Sequence, residues 1–458
     1  MVFSSLLFIF WFIPVFFAVY WLVPAKLRNT VLFLGSIVFY AWGEPVYLIL
    51  IFISILVNYL AGIGIEQTEG TLSKIIFISS MVFDFGMLFV FKYTGFFVSN
   101  INGIFGSSIS DLHLTLPLGI SFYTFQIASY VIDLYRGKIK AEHSPLTLGT
   151  YLVMFPQLIA GPIVVYSQVS EQLHSRRITM EDVSDGIATF ILGLASKVLV
   201  ANSVGALWND LESIGYENIS MPLAWLGAVA FTLQIYFDFN GYSLMAIGLG
   251  KMLGFSIPRN FNHPYVSKSL TEFWRRWHMT LSGWFREYVY IPLGGNRKGK
   301  IRTYVNLFIV WFLTGFWHGA GWNFICWGLF FFVFLSLEKS FLLAFLEKHP
   351  VIARIYSLVF IALSWMIFAI TDFAKLGTYA KALVSFPSFS ACTDVLYYMR
   401  NYGAVIIIGC ILSAPFVSER FERIKRKPAG VAILSVLFFA CICSLADMGY
   451  NPFLYFRF

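Results

Sequence analysis

The sequence predicts an all-α polytopic membrane protein. It reads as one integral-membrane domain over residues 1–458, a helical bundle of about 11–12 spans with re-entrant and interfacial helices added. Three observations carry this. Hydrophobic residues make up 58% of the chain and charged residues only 12%, against about 25% charged in soluble domains. Apolar runs long enough to cross ~30 Å of hydrocarbon recur from end to end. The Lys and Arg residues behind the net charge of +8 sit in loops between those runs, as the positive-inside rule expects, so the charge is no nucleic-acid footprint. Five cysteines at 326, 392, 410, 441 and 443 lack regular spacing and read as small core residues, not a disulfide framework.

In chain order, residues 3–23 form an apolar run with no positive n-region and no small-residue cleavage site; they read as a retained first span. Further spans are expected at 30–43, 45–65, 75–97 and 116–134. Residues 146–166 are apolar but broken by Pro156, Gly161 and Pro162, which removes helix hydrogen bonds and suggests a re-entrant segment. Spans follow at 187–205 and 222–246. Residues 303–320 and 322–338 read as two short helices that need not cross fully. The last spans are 354–371, 401–417 and 430–446. Segments 99–112 and 206–220 contain no Lys or Arg and are placed outside. The loops with Lys26/Arg28, Arg136/Lys138/Lys140, Arg176/Arg177, residues 259–302 and Arg420–Lys427 are placed in the cytoplasm. Both termini then face outward.

Residues 269–290 read as one amphipathic helix lying at the inner interface. Ser269 and Glu272 form a candidate capping box. Phe273, Trp277, Leu281, Trp284 and Tyr288 share one arc, with Arg275, Arg276 and Arg286 opposite and His278 at the polar edge.

The candidate chemistry centres on His318, within the run Trp311–Trp322. An ionisable residue at membrane depth marks a functional site by default; the bland alternative is an interhelical hydrogen bond. A neutral imidazole, with an ordinary pKa near 6.5, can take a hydroxyl proton at physiological pH. Glycines 315, 319 and 321 permit close approach of backbone or substrate. His278 is either solvated beside its arginines or helps to bind and orient the reactants. Residues 259–302 hold nine Lys/Arg against two acids, suited either to lipid head groups or to nucleotide phosphates. Asp84, Lys92, Lys197 and Asp238 lie within apolar runs and read as helix-pair salt bridges or parts of a proton or ion path; their spacing selects neither. No Gly-rich P-loop, HExxH or CxxC occurs, and the seven histidines are dispersed; no metal site is expected. A transporter or channel would need polar pore-lining residues at regular helical spacing, and the chain shows few.

Several segments together resemble the membrane-bound O-acyltransferases, in the bacterial branch with the alginate and peptidoglycan O-acetylation membrane subunits. They are MVFSS at 1–5, SIVFYAWGEP at 36–45, LPLGISFYTFQ at 116–126, FPQLIAGPI at 155–163, QIYFDFNGYS at 234–243, residues 260–297 and TGFWHGAGWNFICWG at 314–328. The resemblance implies a helical bundle pinched by short helices, with a cytoplasmic acyl-CoA tunnel and an outer funnel meeting near a catalytic histidine. His318 stands at that histidine and His278 at the second, upstream family position. Leu244, Val165, Phe330, Phe331 and Ala369 depart from the family pattern.

The implied activity is transfer of an acyl group, taken to be acetyl, from cytoplasmic acetyl-CoA to an extracytoplasmic polysaccharide such as an alginate-like exopolysaccharide or peptidoglycan. His318 would deprotonate the acceptor, Trp317 and Trp322 would line the tunnel and exclude water, and Arg275, Arg276, Arg297 and Lys298 would hold the CoA phosphates. No permanently bound cofactor is implied. The expected partners are a secreted or membrane-anchored SGNH-type acetyltransferase, the glycan acceptor and membrane lipids, with no nucleic acid. The expected location is the bacterial cell membrane. A non-catalytic scaffold for a secreted acyltransferase, or a relative acting on lipid or protein, stays open. The ending FLYFRF at 453–458 looks like the FxYxxF motif associated with acyl relay in related systems, which makes Tyr455 a candidate relay; its alternative is an aromatic anchor at the outer interface.

Overall fold

The computed structural model describes residues 1–112, 114–385, 393–447 and 453–454. Among these the chain is helical, with no strand. Each run expected to span has become a helix, and eight helices among the described residues are long and apolar enough to cross a membrane. The expected spans that fall outside this set include Phe8–Leu22, Arg28–Ala41 and Ile120–Tyr135. At 1.5 Å per residue, helices of 14 and 16 residues reach roughly 21–24 Å, short of a ~30 Å core. Lys300–His318 is 19 residues long but opens on Lys300 and Arg302.

The chain divides into two compact units, one of Met1–Phe190 with Met245–Pro258 and one of Ile191–Leu244 with Arg259–Phe458. In the first, Phe8, Phe12, Phe16, Phe39 and Phe155 form a cluster of rings, some stacked and some edge-on. The proline-broken stretch becomes Pro145–Val153 and the four-residue helix Phe155–Leu158. Both are buried from Thr147 onward, and the Phe155 N–H that the break releases donates to Ser36 Oγ at 3.1 Å, as a buried backbone group requires. Asp84 accepts from Asn58 Nδ2 at 2.8 Å, and Lys92 donates to Ser121 Oγ at 3.1 Å. Each of these two residues makes a hydrogen bond to a neutral side chain. Of the cysteines, Cys441 is buried while Cys410 and Cys443 are exposed, so only part of that set is core.

The second unit holds the candidate site. Its long helix Met221–Leu253 contributes residues up to 244. The segment 259–299 folds over it, and the helices Lys300–His318, Trp322–Leu337 and Pro350–Ala369 complete the surroundings. One expectation fails here: residues 269–290 are not a single helix. Leu270–Arg276 ends, Trp277 is extended, and His278 takes φ 43° before Met279–Phe285 resumes. The break is fixed by the adjoining irregular backbone at residues 260–262. Asn262 N donates to Arg276 O at 2.9 Å, Met279 N donates to Asn260 O at 2.9 Å, and the Asn260 side chain accepts from Thr280 Oγ1 at 2.7 Å. Half of the capping box forms: Ser269 Oγ accepts from Glu272 N at 3.0 Å, while the Glu272 carboxylate accepts from Lys268 N, one residue before the cap, at 2.9 Å.

Candidate active site

His318 is the last residue of its helix, because Gly319 turns extended immediately after it. The helix Trp322–Leu337 then runs back against it. Glycines make this hairpin tight: a Cβ at Gly315 would collide with the Phe324 carbonyl oxygen, and one at Gly328 with that of Trp311. The close backbone approach expected of the Gly-rich run therefore exists at Gly315, helix against helix. Asn323 donates to the Phe368 carbonyl at 3.1 Å, which ties in the end of Pro350–Ala369. His318 is thereby buried in an aromatic shell: its ring lies 5.1 Å from Trp317, 5.0 Å from Trp327 and 5.3 Å from Phe368, centroid to centroid.

His278 is fully buried, which corrects the expectation of a residue at a polar edge. The left-handed kink turns its side chain inward, with Phe239 at 4.8 Å and Trp317 at 6.2 Å. Trp317 thus touches both imidazoles. Burial pushes the His278 pKa well down, to about 3, so it is neutral at physiological pH. Neither ring nitrogen has a hydrogen-bond partner among the described residues. Among the described residues, His263 and His278 are the non-glycine residues with positive φ; such backbone persists where the surroundings over-determine it, and it gathers at functional sites.

Two adjoining cavities lie on the basic side. A groove of about 390 Å³ is lined by Trp274, Trp311 and Thr314 at depth and by Arg275, Arg286 and Lys339 among its polar residues. A second, of about 580 Å³, is lined by Arg297 and Lys298 around the turn at Gly294 and Gly295, and shares Arg286 and Tyr290 with the first. That turn needs φ 104° and 55°, which favours glycine. Arg276, by contrast, forms an ion pair with Glu272 at 2.9 Å and donates to Asn262 O; it lines neither cavity. Thr314 is one helical turn before His318 on the same face. Trp274 packs on Trp311 at 4.6 Å and on Trp327 at 5.7 Å. Indole rings therefore stand between the groove and the histidine.

On the other side of His318 lies a small cavity of about 20 Å³, lined also by Ile235, Asp238, Phe239, Trp277, Trp365, Phe368, Phe453 and Leu454. It has room for about one water molecule. Phe453 is 2% exposed, so this part of the tail is no surface anchor. Tyr455 lies outside the described residues. Trp317 is buried. Trp322 is 54% exposed at the start of its helix, and the inner faces belong instead to Trp277, Trp327 and Trp365. No group of three or more His, Cys, Asp or Glu among the described residues is arranged to hold a metal ion. Sequence reasoning missed Lys339, the inward turn of His278 and the packing of Phe453 beside the histidine. Arg286 had a signal, since it shares the polar arc with Arg275; Lys339 lies far along the chain and had none.

The family model "MBOAT, membrane-bound O-acyltransferase family" matches residues 138–377, just over half of the chain. The "Probable alginate O-acetylase AlgI" of Pseudomonas putida is 35% identical over 490 residues, covering 100% of both chains. The "Peptidoglycan O-acetyltransferase" of Helicobacter pylori is 35% identical over 429 residues, 86% of this chain and 81% of its own. The "Teichoic acid D-alanyltransferase" of Bacillus subtilis is 28% identical over 236 residues, 49% of this chain and 59% of its own. The family model's match spans the kinked segment, both imidazoles and the glycine-locked hairpin, and relatives 35% identical cover 86–100% of the chain, so the chain belongs to the membrane-bound O-acyltransferase family and is a multi-pass membrane O-acyltransferase.

Proposed function

We propose that this enzyme takes an acetyl group from acetyl-CoA on the cytoplasmic side and passes it outward for O-acetylation of an extracytoplasmic polysaccharide. The observation that carries the donor side is the pair of adjoining cavities with basic residues, the first of which reaches Thr314, one helical turn from His318. Arg286, Arg297 and Lys298 suit the nucleotide phosphates, since guanidinium groups grip phosphate bidentately. The apolar groove past Arg275 suits the pantetheine arm, with the thioester beyond Thr314. His318 accepts the proton of the attacking hydroxyl. The hydroxyl oxygen bonds to the thioester carbonyl carbon, the C–S bond breaks, and the proton passes to the departing CoA thiolate. His278 supports the neighbouring wall through Trp317 as a positioning residue. The relatives named for alginate, peptidoglycan and teichoic acid support a polymer acceptor outside the membrane, reached through a secreted SGNH-type acetyltransferase.

Tyr455 is proposed as the first acceptor. In support, Leu454, its chain neighbour, lines the His318 cavity. A phenol of pKa near 10 is a better leaving group than a sugar hydroxyl, so its ester keeps transfer potential. The test uses membrane vesicles given labelled acetyl-CoA. His318→Ala should lower label transfer by about 10²–10⁴-fold with normal expression, and Tyr455→Phe should abolish the C-terminal acetyl ester seen by mass spectrometry. Transfer at the parent rate in His318→Ala rejects the base and favours the scaffold reading.

A further inference from the structure

The Lys197–Asp238 pair is almost wholly buried, at 4% and 3% side-chain exposure. Its placement is built. Lys197 sits in the π-helical turn Ser196–Ala201, a rare element that recurs at functional sites. Gly241, near one turn beyond Asp238, lets the helix Met221–Leu253 approach that turn; a Cβ there would press on the Gly193 carbonyl oxygen and Lys197 N. A buried ion pair contributes little net stability, because desolvation offsets the attraction. Its second carboxylate oxygen, however, has a further partner. Asp238 Oδ1 pairs with Lys197, and Oδ2 accepts the Leu454 N–H at 2.8 Å. The Phe453 ring lies 4.8 Å from Tyr242 and 6.2 Å from Phe239, with Lys197 Nζ 5.9 Å from its centroid. That is within the range of a cation–π contact. Phe239 in turn packs edge-on against His278.

We propose that the Lys197–Asp238 pair is the docking site of this chain's own carboxyl-terminal segment, held through the Leu454 N–H and the Phe453 ring. The contact to Asp238 is made by backbone, so it fixes the main chain at Leu454 whatever side chain stands there. A charge-assisted hydrogen bond in a dry site is strong and directional. Docked there, the tail leaves about 20 Å³ beside His318, far less than a sugar ring occupies. The docked state therefore excludes the polysaccharide from His318 and admits only a group that the tail itself carries. This last consequence rests on the relay reading above; the docking does not.

The test measures how accessible the tail is. In full-length protein with the native cysteines replaced, Leu454→Cys is labelled with a maleimide in detergent micelles. With the ion pair intact, labelling should be slow. In Lys197→Met/Asp238→Leu, which replaces the pair with apolar residues and leaves no lone charge, labelling should rise at least tenfold while the unfolding midpoint stays near that of the parent. Phe453→Ala should raise it as well with the pair untouched, which covers the case of a double variant that fails to fold. His318→Ala should leave the slow rate unchanged, so loss of transfer chemistry and loss of docking are read separately. Equal labelling in the parent and either docking variant, or fast labelling in His318→Ala, overturns the docking.

Discussion

Replacing Gly315 by alanine adds one methyl group at the tightest point of the His318 hairpin. That methyl would overlap the Phe324 carbonyl oxygen and stand 3.2 Å from Gly328 Cα. Carbon contacts relax to about 3.5–4.0 Å, so the two helices must part by roughly 1 Å. Neither obstacle is a flexible side chain that could swing aside. Overpacking of this kind costs about 1–3 kcal/mol, and a 1 Å displacement near the chemistry can cost ~10²-fold in rate. His318 is three residues on, in the last turn of the displaced helix, so the rate should suffer more than the fold. The assay pairs the unfolding midpoint in detergent with label transfer from acetyl-CoA. Gly283→Ala is the control: it lies in Met279–Phe285 with nothing within 4 Å of an added Cβ, and should stabilise by about 0.4–1 kcal/mol with unchanged turnover. A Gly315→Ala protein with parental midpoint and parental turnover would refute the claim that this contact sets the position of His318.

Other outcomes follow from the same geometry. Arg275→Gln, Arg286→Gln and Lys339→Gln should each raise KM for acetyl-CoA, less so at high salt, while Arg276→Gln, which loses its Glu272 pair and its bond to Asn262 O but lines neither cavity, should leave KM unchanged; steady-state kinetics at two salt concentrations decides. His278 is held neutral with its pKa near 3, whereas the unfolded chain protonates it below ~6.5. The unfolded state then binds the extra proton, so stability should fall as pH drops from 6.5 towards 3, by up to about 1.4 kcal/mol per pH unit; His278→Asn should flatten that slope in chemical denaturation. Glu338 accepts from Leu270 N, Thr271 N and Thr271 Oγ1 at 2.6–2.8 Å. Glu338→Ala leaves those buried N–H groups unsatisfied and should destabilise by about 1–3 kcal/mol, seen as a lower unfolding midpoint.

Much of this fold could be read from hydrophobicity, because a bilayer demands long apolar helices and little else satisfies the backbone there. His318 stood out for the same reason: an imidazole among tryptophans has few bland explanations. Tertiary backbone contacts were harder to foresee. The helix period across 269–290 is sound, yet Asn260 and Asn262 pull the chain into a left-handed kink at His278, and no local signal near 278 announces a partner some sixteen residues upstream. The same limit hid the tail. Phe453 and Leu454 read equally well as an interfacial anchor, and only long-range packing brings them to Asp238. Charge was legible as a cluster but not as a surface: Arg275 and Arg276 are neighbours in sequence, and one lines the groove while the other is tied to Glu272.

The buried Lys197–Asp238 pair also bears on how the chain enters the membrane. Its members lie in separate candidate spans, Met180–Ile214 and Met221–Met252. Either charge alone at the middle of a bilayer opposes insertion by roughly 2.5–3.5 kcal/mol. Paired, they leave the water as a neutral unit. Insertion of these two segments is therefore favoured as a hairpin, the second helix delivering the counter-charge for the first. A single substitution at either position strands its partner in the bilayer, and its first effect falls on the yield of correctly inserted protein, before any question of catalysis arises.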